Sequence, residues 1–276
     1  MQLGISTLGH LIDFTSCNSA IDLPKSIFEA TESCLNYIEE NGIDVIELVI
    51  EPQSFLRGDQ KQNFIDLVTS YSVKKQVHGP YIDINLCSHN PTISQASIDA
   101  YTETYTLCKD LMINLMTIHP GIANSMIESL REYNKLQLIS SLNILIDSIN
   151  NKEFILCLEN MPKDTNIMLN DETISDIFSR LNREELFLTY DTSHFYTNSG
   201  NVNYLWEKLH EKIKNIHLVD NYTKEADPHP PLGTGKIDFE RIIEIINSFN
   251  YKGSLIIELS SAKGLSQSVE YITRYI

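Results

Sequence analysis

A chain of 276 residues, 42% apolar and 21% charged, is long enough for one large domain with a sizeable core. Its 37 Asp and Glu against 21 Lys and Arg leave a formal net charge of −16, which argues against a broad electrostatic footprint for nucleic acid, although carboxylates that hold divalent cations would be neutralised. The apolar stretches IIEIINSF and SLNILIDSI fall well short of the roughly 18 consecutive apolar residues of a membrane span, and MQLGISTLGH has no basic segment ahead of an apolar one, so neither a membrane anchor nor a secretory signal is expected.

In chain order, β-rich runs are predicted at 2–7, 45–50, 74–79, 115–119, 154–160, 186–192, 215–220 and 255–260. Helical patterns lie between them at 24–41, 60–72, 93–112, 124–150, 171–182, 202–212 and 239–249, with 264–275 closing the chain. Pro24 just inside the first of these helices and Gly42 just past it are the expected start and stop signals. Strand starts recur roughly every 30 to 40 residues, the length of one βα unit. This alternation predicts an α/β fold, a single-domain (β/α)₈ barrel spanning residues 1–276. A doubly wound open sheet is the rival, and it would gather ligands at one switch point.

Nine residues able to bind metal sit at the ends of these apolar runs: His78, His119, Glu159, Asp191, His194, His217, Asp227, His229 and Glu258. Imidazoles and carboxylates at the ends of successive strands converge only if the strands run parallel around one axis. Strand periodicity puts Ile155, Cys157 and Glu159 on one face, and Ile256 and Glu258 on another, so each carboxylate ends an inward row. A buried unpaired carboxylate is costly, and Glu159, Asp191 and Glu258 there need a cation, a hydrogen-bond network or a proton. Mixed imidazole and carboxylate ligands suit catalytic rather than structural zinc. Each residue also has a plainer reading: His78 and His119 as hydrogen-bonded loop residues, and Asp191 as a helix N-cap. Gly233 and Gly235 form a G-T-G too weak to signal dinucleotide binding. His10 and His89 are expected to be solvated and His210 helical, none with a role. Cys17, Cys34, Cys87, Cys108 and Cys157, without a C-x-x-C, read as reduced thiols of a cytoplasmic protein.

The set VHGPYIDINL, IHPG, LEN, DTSH, HLVDN, DPH-x-PLG-x-G-x-IDF and IEL resembles the xylose-isomerase-like barrel superfamily and, within it, the endonuclease IV family of abasic-site endonucleases. The resemblance implies three zinc ions. His78, His119 and Glu159 would hold the first; Glu159 would bridge to a second completed by Asp191, His217 and Glu258; His194, Asp227 and His229 would hold the third. It implies hydrolysis of a phosphodiester in DNA with abasic sites, with Glu159 and Glu258 catalytic. Tyr81 and Ile82 stand where that family inserts an aromatic-apolar pair into DNA, although core or pocket lining is the plainer role. Other features depart from that family. Pro228 replaces a usually basic residue, the loop EPQSFLRGDQ retains Arg57 but no basic cluster, and PLGTGKIDF is as typical of sugar isomerases and epimerases.

Two function classes follow, with a catalytically silent binding protein as a third. The first is a trinuclear zinc phosphoesterase. The second is an isomerase or epimerase of a small sugar or its phosphate, in which one Mn²⁺ or Mg²⁺ on Glu159, Asp191, His217 and Glu258 stabilises an ene-diolate while the two glutamates exchange protons. The other five ligands would then line the sugar pocket. No obligate protein partner is expected.

Overall fold

The computed structural model describes residues 1–16, 22–51 and 58–276, so Cys17, Arg57 and most of the EPQSFLRGDQ loop lie outside the described residues. Eight parallel strands close into a barrel in the order of the chain: β1 Gln2–Ser6, β2 Val45–Val49, β3 Lys74–His78, β4 Leu115–Ile118, β5 Ile155–Glu159, β6 Leu186–Asp191, β7 Ile213–Leu218 and β8 Ser254–Ile257. β1 pairs with both β2 and β8, which excludes the doubly wound open sheet. Around the barrel lie α1 Leu8–Ser16, α2 Leu23–Asn41, α3 Asp59–Ser70, α4 Pro91–Asp110, α5 Ser129–Ile149, α6 Asp171–Leu181, α7 Thr192–Thr197, α8 Val202–Leu209, α9 Phe239–Ser248 and α10 Leu265–Ile272. None of the described helices is long and apolar enough to cross a membrane.

Local chemistry starts and stops these helices. The Asp22 carboxylate caps α2 by accepting the Lys25 N–H, and Gly42 ends it in the left-handed region at φ 64. Asn90 caps α4 ahead of Pro91. Asn124 shifts one boundary: its side chain accepts the N–H groups of Met126 and Ile127, so the chain turns there and α5 begins at Ser129 rather than 124. Two short helices, α1 and α7, were not expected from sequence, because each follows its strand almost directly and is too short to show a full apolar period. β7 starts at Ile213, two residues before the expected edge. His10, expected to be solvated, is buried on α1, and burial lowers its pKa. His89 is exposed, as expected, and His210 caps the end of α8 with Nδ1 3.0 Å from the Trp206 carbonyl. Cys34, Cys87, Cys108 and Cys157 are buried free thiols.

The barrel interior is layered. Halfway up, Glu47, Gln76, Thr117, Thr189 and Asn215 hydrogen-bond to one another across the axis. Two residues further along four of these strands, on the same inward face, stand His78, His119, Asp191 and His217. On β5 and β8 the same step leads from Cys157 to Glu159 and from Ile256 to Glu258. A period of two thus lifts the ligand-type residues into one layer at the C-terminal mouth, where barrel enzymes carry their sites.

On β1 the inward position is Gly4. A Cβ there would stand 2.5 Å from Ile256 Cδ1 and 2.9 Å from the Val45 carbonyl oxygen. Gly4→Val is therefore expected to lower the unfolding free energy by about 1–3 kcal/mol through overpacking, read as a lower denaturation midpoint in urea; an unchanged midpoint would show that the barrel wall can yield at this point.

Candidate metal centre

The structure brings all nine sequence-predicted ligand residues to the barrel mouth. Groups whose candidate ligand atoms lie within 4.8 Å of one another are His78, His119 and Glu159; Glu159, Asp191 and His217; His194, Asp227 and His229; and His217 and Glu258 with Glu47, a carboxylate outside the nine. Glu258 joins them with Oε2 3.8 Å from His217 Nδ1 and Oε1 3.4 Å from His229 Nδ1. Glu159 sits at the junction. Its Oε2 lies 3.4 Å from His78 Nε2 and 3.0 Å from His119 Nε2, and its Oε1 lies 2.9 Å from His217 Nδ1.

Each ring is held by an interaction that leaves one nitrogen aimed inward. His78 Nδ1 lies 2.8 Å from the Gly79 carbonyl and His194 Nδ1 2.8 Å from the Asn160 carbonyl, which assigns those nitrogens as donors and turns each Nε2 toward a carboxylate, that of Glu159 and that of Asp227. The Tyr101 hydroxyl of α4 accepts the His119 N–H at 3.0 Å and donates to the His119 carbonyl at 3.2 Å, fixing that residue through its backbone. Asp191 is the N-cap of α7, Oδ1 accepting the His194 N–H at 2.7 Å, while its buried Oδ2 has no hydrogen-bond partner. Asp227 is held by Ser193, which itself accepts the Asn221 amide at 2.9 Å. Asp220 gathers the N–H groups of Gly233, Gly235 and Ile237, shaping the loop that delivers Asp227 and His229.

Several of these supports were missed at the sequence level. Glu47 lies 3.0 Å from His217 Nε2, Glu51 accepts the Tyr81 and Ile82 N–H groups, and Tyr101, Asn160 and Asn221 act as above. Only the outward neighbours of Glu47 in VIELVI hinted at an inward carboxylate. Tyr81 is half-buried beside the centre, its ring 5.6 Å from that of His119. Ile82, for which core or pocket lining was the plainer reading, is 57% exposed.

The electrostatics favour cation binding. Burial opposes the charged form of His78, but Glu159, Glu47 and Glu258 overcome it and push its pKa up to about 9. Burial, with Glu159 and Asp227 close by, pushes Asp191 up to about 7 against the pull of His194 and His217. Burial works against the charged form of Glu159 as well, yet His217 and His119 hold its carboxyl well below the usual range. The Asp191 Oδ2 and His229 Nδ1 atoms are buried without a hydrogen bond, a cost of about 1–3 kcal/mol each that a bound cation would remove. The donor set is imidazole and carboxylate only, which fits Zn²⁺ or Mn²⁺ in a catalytic setting. A cavity of about 250 Å³ opens onto these groups, its far wall formed by Leu8, Ile12 and Val49.

Comparison with known proteins places this geometry among barrels. Residues 35–275 match the family model for the xylose isomerase-like TIM barrel. The "Probable endonuclease 4" of Mycoplasma pneumoniae is 29% identical over 215 residues, which cover 71% of this chain and 73% of that protein. Among solved structures, a D-tagatose 3-epimerase-like protein superposes with a TM-score of 0.82 at 22% identity, covering 100% of this chain and 97% of that one. The IolI protein with a bound zinc atom gives 0.76 at 18% identity, covering 100% and 99%.

Two consequences are measurable. Without metal, His78 and Asp191 bind protons more tightly folded than unfolded. Their stabilising effect is complete only at low pH and is lost as pH rises through about 7 for Asp191 and about 9 for His78. The melting temperature of the metal-free protein is expected to fall between pH 6.5 and pH 9, and metal loading, by displacing those protons, should flatten that slope. Zinc added to weakly buffered metal-free protein at neutral pH should release protons, seen as acidification with a pH electrode; binding without proton release would contradict the protonated state assigned to His78.

Proposed function

The chain belongs to the xylose isomerase-like TIM barrel family, and on that premise we propose that it is a metal-dependent phosphoesterase that holds zinc at three positions and cleaves a phosphodiester, as in DNA with abasic sites. One observation carries this reading: eight ligand-type side chains form three groups, two of which share Glu159, with Glu258 beside His217 and His229. An isomerase needs a single cation and four ligands, whereas in-line displacement at phosphorus uses charge on both the entering and the leaving oxygen. The resemblance to an endonuclease 4 supports the same choice.

Bound divalent cations would supply Lewis acidity toward phosphoryl oxygens and water. The chain's own residues do the rest. His78, His119 and Glu159 would hold the first zinc, Glu159, Asp191, His217 and Glu258 the second, and His194, Asp227 and His229 the third. Glu258, with its two oxygens directed at His217 and His229, stands where it can take a proton from the attacking water. Tyr81 and the apolar wall of Leu8, Ile12 and Val49 narrow the cavity and exclude bulk water on the side away from the ligands.

A second reading is kept because no Lys or Arg is among the described residues lining this cavity. That lining suits a small polyhydroxy ketone, with one Mn²⁺ or Mg²⁺ on Glu159, Asp191, His217 and Glu258 and with Glu159 and Glu258 passing protons at the carbon beside the carbonyl. The epimerase-like neighbour shares the fold.

Metal content separates the two. Elemental analysis of purified protein is expected to find about three zinc ions per chain, whereas a single Mn or Mg that zinc supplementation does not displace would support the isomerase. Glu159→Gln is expected to abolish activity and reduce occupancy at two positions, and His229→Ala to empty one; equal loss of a single metal from both variants would remove the bridging role. Incision of an abasic-site duplex should be detectable at low ionic strength, lost on chelation and steeply weakened by salt. Turnover of ketoses or ketose phosphates with no incision across metals and salt would transfer the assignment to the isomerase class.

A further inference from the structure

Glu47 is fully buried in the middle of β2, below the layer of ligand-type residues, with no Lys or Arg partner among the described residues. A carboxylate taken out of water in this way is tolerated only when it is paired and hydrogen-bonded. Gln76 Nε2 donates to its Oε2 at 2.7 Å and Asn215 Nδ2 at 3.0 Å. His217 Nε2 lies 3.3 Å from Oε2 in a hydrogen bond and 3.0 Å from Oε1, which has no hydrogen bond of its own. Among the described residues, His217 is the imidazole in contact with Glu47.

The opposite edge of the same ring faces the cluster. His217 Nδ1 lies 2.9 Å from Glu159, 3.8 Å from Glu258 and 3.9 Å from Asp191. A neutral imidazole carries one N–H, and its position decides which edge can bind a cation. Asn215 Nδ2 is also 3.1 Å from Nε2, but Glu47 Oε2 at 3.0 Å and Thr117 Oγ1 at 3.2 Å offer acceptors for its two hydrogens. With a cation at the Nδ1 edge, Nε2 would carry the N–H of the ring toward Glu47 and the Nδ1 lone pair would face the cation among the three carboxylates.

We propose that Glu47 is a positioning residue: it accepts the Nε2–H of His217 and so fixes the tautomer and ring orientation that present Nδ1 to a divalent cation shared with Glu159, Asp191 and Glu258. Gln76 and Asn215 act one step further out by holding Glu47 in place. The proposal rests on the metal-binding reading of the mouth but on neither reaction in particular, since both use His217.

The test compares wild type with the nearly isosteric Glu47→Gln, whose amide can put a donor against Nε2. Each metal-free protein is titrated with zinc in competition with a chromophoric chelator, and folding is checked by near-ultraviolet circular dichroism. A folded variant that binds the His217 cation about 10–100-fold more weakly is expected. Equal affinities, or weaker binding that appears only with loss of the folded spectrum, would overturn the proposal, while a wild type that binds no zinc would instead overturn the metal reading beneath it. Anomalous diffraction from zinc-loaded wild-type crystals is independent of any variant. An ion about 2.0–2.1 Å from His217 Nδ1 with Nε2 on Glu47 supports the assignment, and an ion ligated by Glu47 and Nε2 sinks it.

Discussion

The structure depends on how a barrel interior can keep carboxylates and imidazoles away from water. Glu47, Glu159 and Asp191 are essentially inaccessible, as is His217 between them. Charges so placed are costly unless paired, and each is paired with another member of the same cluster. The result is a closed electrostatic system: no strand contributing to it can slip by one residue without turning its charge outward and leaving a partner unpaired. The parallel register that aligns Asp191 with His217 and Val49 with His78 is thereby tied to the chemistry of the mouth.

Rigidity at this mouth comes from polar contacts made one step away from the ligands. Carbonyls of Gly79 and Asn160 orient His78 and His194, the Tyr101 hydroxyl clamps the backbone of His119, and Asp220 folds the loop after β7 by gathering three N–H groups. Glu51 does the same for the loop after β3 by accepting the N–H groups of Tyr81 and Ile82. Sites whose ligands are oriented in this way lose little conformational freedom on binding a cation. Of the nine ligand-type residues only His229 sits in the left-handed region, at φ 48, which for a residue with a side chain stores strain in the loop that also carries Asp227.

The two proposed chemistries share Glu159, Asp191, His217 and Glu258 and differ in the use made of the other five residues. His194, Asp227 and His229 form a compact group of their own, with His194 Nε2 2.9 Å and His229 Nε2 2.8 Å from Asp227 Oδ2. Such a group has the form of a third ligand set, whereas a sugar pocket would spread its donors around hydroxyls. Leu8, Ile12 and Val49 add apolar surface to the lining of the same cavity. Fold resemblance does not decide between them, because one barrel can host unrelated reactions.

Strand count and the placement of nine ligand-type residues at strand ends were legible in the sequence because they are local properties. Alternation of period two marks an inward row, and a His or carboxylate at the end of that row marks the mouth. Helices α1 and α7 were not legible, since each is too short to show a period and forms because the preceding strand delivers it there. His10 was misjudged for the same kind of reason: nothing local told that α1 would turn it inward. Glu47, Tyr101, Asn160 and Asn221 carry no motif. Their partners lie 170, 18, 34 and 28 positions away along the chain, and such contacts exist only once the barrel has closed. The sequence by itself determined which residues could ligate and which face of each strand they would occupy. Tertiary structure alone decided which nitrogen of each imidazole faces the centre, because that choice belongs to the hydrogen-bond partner on the far side of the ring.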